Sequence, residues 1–173
     1  MNEVVYYNVM DIERGTTVDG PGLRTAIYLA GCSHHCPGCH NPSTWDPQAG
    51  KRMSLEDILS IIKGEGYDVT LTGGDPLMHP ESTALLVNAI ARAGLRVWLY
   101  TGYTAEEILA DRVLRRSIAE VDVIVEGRFV KEKHDPDLLF RGSSNQRILT
   151  VVTAPDGDIS FNPWHDPFDM IPL

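Results

Sequence analysis

Apolar residues along this chain fall into short, nearly continuous runs, separated by segments with helical spacing. Runs rich in Val, Ile, Leu and Tyr at Leu23–Ala30, Val69–Thr72, Val97–Thr101, Val121–Val125 and Ile148–Val152 predict strands. Several read as nearly continuous apolar segments, as strands buried on both faces do. Between them, Ser54 opens a predicted helix: Asp57 three residues on is an acidic near-match to a capping box, and Leu55, Ile58, Leu59 and Ile62 share one face. A second helix runs from Glu81 to Ala93 and stops at Gly94. A third begins at Thr104, with Glu106 and Glu107 in the first turn, where the helix dipole favours acids.

Strand–helix–strand alternation implies a parallel sheet with right-handed crossovers. The chain has room for roughly five or six such units, against the eight of a closed barrel. The predicted fold is therefore α/β: an incomplete, partial TIM-type barrel of parallel strands with flanking helices, open on one side. A doubly wound open sheet is the alternative. Residues 1–153 form this domain. Residues 154–173, with Pro155, Pro163, Pro167, Pro172, several Asp and few apolar anchors beyond Phe161 and Trp164, read as an irregular C-terminal tail.

Composition narrows the function. A chain of 173 residues with 43% hydrophobic content is long enough to bury a core without disulfides. Lys plus Arg is 15 against 24 for Asp plus Glu, a net charge of −9, which argues against a nucleic-acid surface. No apolar run is long enough to span a bilayer, and the start Met-Asn-Glu-Val-Val-Tyr-Tyr lacks the pattern of a signal peptide. A cytoplasmic protein with no membrane or nucleic-acid partner is expected.

All three cysteines lie within eight residues, Cys32, Cys36 and Cys39, in the spacing C-x3-C-x2-C. Three thiolates hold three corners of a [4Fe–4S] cube, where full protein ligation uses four; the fourth iron is then left open for a non-protein ligand. Gly31 lets the chain turn off the first long strand, and Pro37-Gly38 bends the loop. A structural Cys3His zinc site completed by His34, His35 or His40 is the competing reading. Thr72-Gly73-Gly74-Asp75-Pro76 follows the next strand. Its carbonyls and the Asp75 carboxylate suit an ammonium group, although a plain tight turn has the same sequence. Gly102-Tyr103 and Glu126-Gly127-Arg128 follow two further strands. All four motifs sit at carboxyl ends of predicted parallel strands, where both architectures place active sites.

Together the cysteine triplet and Gly-Gly-Asp-Pro resemble the radical S-adenosylmethionine superfamily. Val18-Asp19-Gly20-Pro21-Gly22-Leu23-Arg24-Thr25, His40-Asn41-Pro42 and Thr44-Trp45-Asp46 are similar to the activating enzymes of glycyl-radical enzymes. Tyr100-Thr101-Gly102-Tyr103, Val125-Glu126-Gly127-Arg128-Phe129 and the string from Phe140 to Arg147 resemble the subgroup serving anaerobic ribonucleoside-triphosphate reductase. The resemblance spans Tyr7 to Leu149.

It implies one [4Fe–4S] cluster per chain on Cys32, Cys36 and Cys39, with S-adenosylmethionine as the second cofactor. It further implies reductive cleavage of that cofactor to a 5′-deoxyadenosyl radical, which takes a hydrogen atom from a glycine of a glycyl-radical ribonucleotide reductase. Gly73, Gly74 and Asp75 would meet the methionine amino group, and the main chain of Gly38, Cys39 and His40 the adenine; Gly38 offers no ring to stack on it. Tyr100, Thr101, Glu126 and Arg128 would line the cofactor pocket, with Arg128 pairing the carboxylate. Asp19 would meet the target peptide or serve only as a turn residue. Arg141 and Arg147 would contact the cofactor or an acidic partner, or simply belong to a structural loop. A small flavin or iron–sulfur protein would donate the electron. The alternatives are activation of another glycyl-radical enzyme, such as formate C-acetyltransferase, and a non-catalytic zinc or iron–sulfur docking module.

Overall fold

A computed structural model describes residues 4–166 of the chain. Eight strands form one mixed, unclosed sheet: β1 (Tyr6–Thr16), β2 (Arg24–Leu29), β3 (Lys51–Ser54), β4 (Asp68–Gly73), β5 (Val97–Tyr100), β6 (Val123–Glu126), β7 (Arg147–Thr153) and β8 (Ile159–Pro163). The spatial order is β3-β1-β2-β4-β5-β6-β7-β8. Strands β2, β4, β5 and β6 run parallel. Antiparallel pairs flank them, β1 with β2 and β3 on one side, β7 with β6 and β8 on the other.

The helices α1 (Leu55–Glu65) and α3 (Ala105–Ala110) follow the Ser54 and Thr104 caps that the sequence marks, α2 (Pro80–Arg92) starts one residue before Glu81, and α4 (Arg112–Ser117) is an addition. The Ser54 hydroxyl accepts from Asp57 N–H at 3.1 Å while the Asp57 carboxylate accepts from Ser54 N–H at 3.2 Å, a complete capping box. Thr104 and Glu107 repeat it on α3. Asp111 ends α3 and caps α4. Among the described residues, no helix is long and apolar enough to cross a membrane.

Alternation along the strands sorts the two faces of the sheet. Ile27 and Leu29, Val69 and Leu71, Val97 and Leu99, and Ile124 meet Ile58, Ile62, Leu86, Ile90, Ile108 and Ile118 of the helical layer in one core. Each such buried aliphatic side chain contributes about 1.5–3 kcal/mol relative to exposure. Arg24, Thr70, Trp98 and Tyr100 stand at the alternate positions. Arg24 is 4% exposed and spends its guanidinium on Thr70 Oγ1 (2.8 Å), Val69 O (2.9 Å) and Pro21 O (3.2 Å).

The structure corrects the sequence reading at both sheet edges. The run at Ile148–Val152 is a strand, but antiparallel to β6 rather than the next parallel unit. The segment from Ala154 is not irregular throughout: β8 pairs with β7, Ile159 is buried, and Trp164 meets the Trp98 ring edge-on at 5.2 Å. Pro167 and Pro172 lie outside the described residues. Strands β1 and β3 are additions to the expected set.

Candidate functional site

The cysteine loop leaves β2 and is stitched shut by its own backbone. Gly31 N–H donates to Thr44 O at 2.7 Å and Cys32 N–H to Trp45 O at 3.2 Å. Inside it, Cys39 N–H donates to Cys36 O at 3.0 Å, and Asn41 N–H reaches Cys39 Sγ at 3.4 Å. All three thiols are half-buried and unpaired. Burial pushes the Cys32 thiol above its ordinary range, while the backbone N–H groups of His34 and His35 oppose the shift by favouring a thiolate.

A second loop leaves β4 directly beside the first. Gly74 N–H donates to Leu29 O and Asp75 N–H to Gly31 O, both at 2.7 Å. Gly73 has φ +106°, and a Cβ there would overlap the Leu29 backbone; one on Gly74 would overlap the Gly31 carbonyl. The paired glycines thus answer a close approach between two stretches of this chain's own backbone.

Asp75, 2% exposed, ties these loops to a third. Its carboxylate accepts from Leu77 N–H (2.9 Å), the Thr101 hydroxyl (3.0 Å), Gly102 N–H (2.9 Å) and His34 Nε2 (2.7 Å). With these donors on it, the carboxylate is an organiser of the site.

The carboxyl ends of β2, β4, β5 and β6 surround a cavity of about 410 Å³. Cys32, Cys36, Cys39, His40, Gly73, Gly74, Asp75, Tyr100 and Thr101 all line it. Sequence reasoning gave no part in the pocket to several further lining residues, Phe129, Leu138, Phe140 and Gln146 among them. Val18 and Asp19 also border the cavity, with the Tyr28 hydroxyl donating to Asp19 at 2.7 Å. Burial raises the Tyr100 phenol above its ordinary range.

Gly38, Glu126 and Arg128 are not among the residues lining the cavity. Gly38 packs under the side chains of Lys131 and Phe129. Glu126 is buried behind β6, accepting from Ala105 N–H at 2.9 Å and from Arg147 Nε. Arg128 is held by Glu107 in a fork, at 2.8 and 3.0 Å. The two acids of the first turn of α3 therefore engage arginines, since Arg147 also binds Glu106 at 2.9 Å.

The string from Arg141 to Arg147 is mainly a knot. Gln146 Oε1 accepts from Gly142 and Ser143 N–H while its amide donates to Gly127 O at 2.9 Å. Asn145 donates to Arg128 O at 2.8 Å. Arg141 lines the cavity, its Nη1 on Gln146 O at 3.2 Å and its Nε without a partner among the described residues.

The donor set fits a cluster better than a single metal. Of the histidines read as a fourth zinc ligand, His34 has its Nε2 on Asp75, while the rings of His35 and His40 pack against Trp45 at 4.7 Å and Phe129 at 4.9 Å. Among the described residues, no three His, Cys, Asp or Glu side chains are grouped to chelate one ion. A cube places its three thiolates on three separate irons and needs no such convergence.

Residues 18–149 match the family model of the 4Fe-4S single cluster domain, so the fold and site define a single-cluster iron–sulfur protein. The anaerobic ribonucleoside-triphosphate reductase-activating protein of Pasteurella multocida is 38% identical over 161 residues, covering 86% of this chain and 96% of that protein. The protein of the same name from Escherichia coli K12 is 37% identical, covering 86% and 97%. That from Enterobacteria phage T4 is 36% identical over 141 residues, covering 76% and 86%. The chain belongs to the family of anaerobic ribonucleoside-triphosphate reductase-activating proteins.

Proposed function

We propose that this cytoplasmic chain holds one [4Fe–4S] cluster on Cys32, Cys36 and Cys39, binds S-adenosylmethionine beside it, and installs a glycyl radical on anaerobic ribonucleoside-triphosphate reductase. One observation carries the reading. The chain's three cysteines, free and half-buried on one loop, line the same cavity as the Gly73–Asp75 turn, in a chain aligned over most of its length with reductase activators.

The residues divide the work. The methionine amino group donates, so the turn would meet it through carbonyl oxygen, its Gly74 and Asp75 N–H groups being committed to Leu29 and Gly31. Tyr100 and Thr101 continue that wall. The main chain of Gly38, Cys39 and His40 lies beside the adenine, with Phe129 close to Gly38. When bound, the cluster supplies one electron to the sulfonium, whose cleavage yields methionine and the 5′-deoxyadenosyl radical that takes a hydrogen atom from the reductase glycine. Phe129, Leu138 and Phe140 give the cavity apolar walls that limit water and stray hydrogen donors. A small flavin or iron–sulfur protein supplies the electron.

The sheet is best described as a partial TIM-type barrel. Its parallel strands follow one another in chain order, β2, β4, β5 and β6, without the reversal that marks a doubly wound sheet. An unclosed sheet leaves a side through which a macromolecular glycine loop reaches the cavity.

Mixing the reduced, reconstituted protein with S-adenosylmethionine and the anaerobic reductase, and separately with formate C-acetyltransferase, tests the assignment. A glycyl doublet in the EPR spectrum is expected only with the reductase. No doublet with either enzyme, or one with formate C-acetyltransferase alone, contradicts it.

A further inference from the structure

His34 sits inside the cysteine triplet yet spends its side chain outside it. It is 7% exposed, and Nε2 lies 2.7 Å from Asp75 Oδ2, the oxygen that also accepts from Gly102 N–H. Its ring meets Tyr103 edge-on, with centroids 4.8 Å apart at 77°. The opposing chain has made room for it: a Cβ on Gly102 would stand 2.7 Å from Nε2 and overlap the ring carbon beside it. One side chain from the loop that carries the thiols is thus seated between the turn after β4 and the turn after β5.

The backbone contacts from the loop to β4 do not do this job. Those of Leu29 and Gly31 fix the loop's root, at the end of β2. Cys36 and Cys39 lie further along, where the loop's backbone hydrogen bonds go to its own residues and Gly38 and His40 pack against Phe129. Within the triplet, the side-chain hydrogen bond to the ligand-facing turn is the one from His34.

We infer that His34 is a positioning residue, one that sets the cysteine loop, and with it the open iron, at a fixed separation from the Gly73–Asp75 backbone. This rests on the reading above, in which one ligand spans both: its amino nitrogen and carboxylate on the iron, the N–H groups of that same amine donating to the turn. A ligand bridging two elements binds well only when their spacing is set in advance. His34 borders the cavity, but its Nε2 is taken up by Asp75. It acts through Asp75, as groups behind a metal's own ligands orient them.

The test compares His34→Leu, which fills the space without a donor, with His34→Gln, whose amide nitrogen reaches toward the place of Nε2. Both are reconstituted anaerobically and assayed for iron and sulfide, then reduced and titrated with S-adenosylmethionine by EPR. Both are expected to hold a full cluster. In the Leu variant the half-saturating concentration rises by roughly tenfold, and the spectrum of the liganded cluster departs from that of wild type. The Gln variant restores most of both. In the apo-proteins, amide exchange across residues 31–40 quickens with Leu and not with Gln.

A Leu variant that titrates like wild type, with an unchanged liganded spectrum, overturns the inference. So does loss of fold or of the cluster in the Leu variant together with His34→Asn, whose shorter amide falls short of Asp75, because that pattern assigns His34 to stability alone. If the wild-type cluster spectrum does not respond to S-adenosylmethionine, the underlying functional reading has failed; the apo-protein exchange then decides only whether the tether exists.

Discussion

Gly74 lies so close to Gly31 that a Cβ on it would overlap the Gly31 carbonyl oxygen, with the Thr44 carbonyl a further 2.9 Å contact. The nearest atoms are all backbone, so no side-chain rotation relieves the overlap. Gly74→Ala is expected to cost about 1–3 kcal/mol, as overpacking of a closed interior does. Gly64, inside α1 with nothing within 4 Å, is the control: Gly64→Ala is expected to stabilise by up to about 1 kcal/mol. Chemical denaturation of both variants measures the difference. Equal midpoints for Gly74→Ala and wild type would show that the two loops are not in contact.

Arg128 follows a parallel strand, but its guanidinium is turned to Glu107. Because that pair is solvent-exposed, Arg128→Ala is expected to cost no more than about 1 kcal/mol. Cofactor affinity at constant iron content should be unchanged. Arg141, which lines the cavity, is the arginine whose replacement should weaken it. A tenfold weakening with Arg128→Ala and none with Arg141→Ala would reverse this assignment.

The same pair gives stability a pH dependence. Its hydrogen bond to Arg128 holds the Glu107 carboxyl below its ordinary value of 4.5. A depressed folded-state pKa contributes stability above the unfolded value, lost as pH falls through the folded one. Glu107→Gln keeps a side chain able to complete the capping box and removes only the charge. Wild type should therefore melt above the variant at neutral pH, and the gap should close as the medium is acidified past 4.5. Added salt should narrow it as well. A gap constant into acid would mean that the charge contributes nothing.

Ile159 tests the edge that the sequence obscures. It is 6% exposed on β8, within the main core. Ile159→Ala is expected to cost about 2–5 kcal/mol. An unchanged melting temperature would return residues 154–166 to the status of a loose tail.

What was legible follows from what each element's residues must satisfy by themselves. The parallel strands are buried on both faces, so β2, β4, β5 and β6 show as apolar runs; Ser54 and Thr104 announce their helices through local capping chemistry. Strand β1 mixes Tyr7 and Val9 with Asn8, Asp11, Glu13 and Arg14, so its pattern is weak. In β8, Pro163 and Asn162 mask a strand whose pairing with β7 depends on tertiary context. The thiols were legible because their chemistry requires their spacing. The roles of Asp75, Glu126 and Arg128 were not, because their partners His34, Arg147 and Glu107 lie 41, 21 and 21 residues away. A charged residue at a strand end looks the same whether it faces a ligand or an ion-pair partner.

The account rests on three thiolates leaving one iron of a cube available. Anaerobic reconstitution with iron and sulfide, reduction, and EPR with and without S-adenosylmethionine measure this directly. The expected result is a cluster signal whose shape changes on adding the cofactor and which is lost in Cys32→Ala, Cys36→Ala or Cys39→Ala. A colourless protein holding a single tight zinc, or a cluster indifferent to the cofactor, would contradict it.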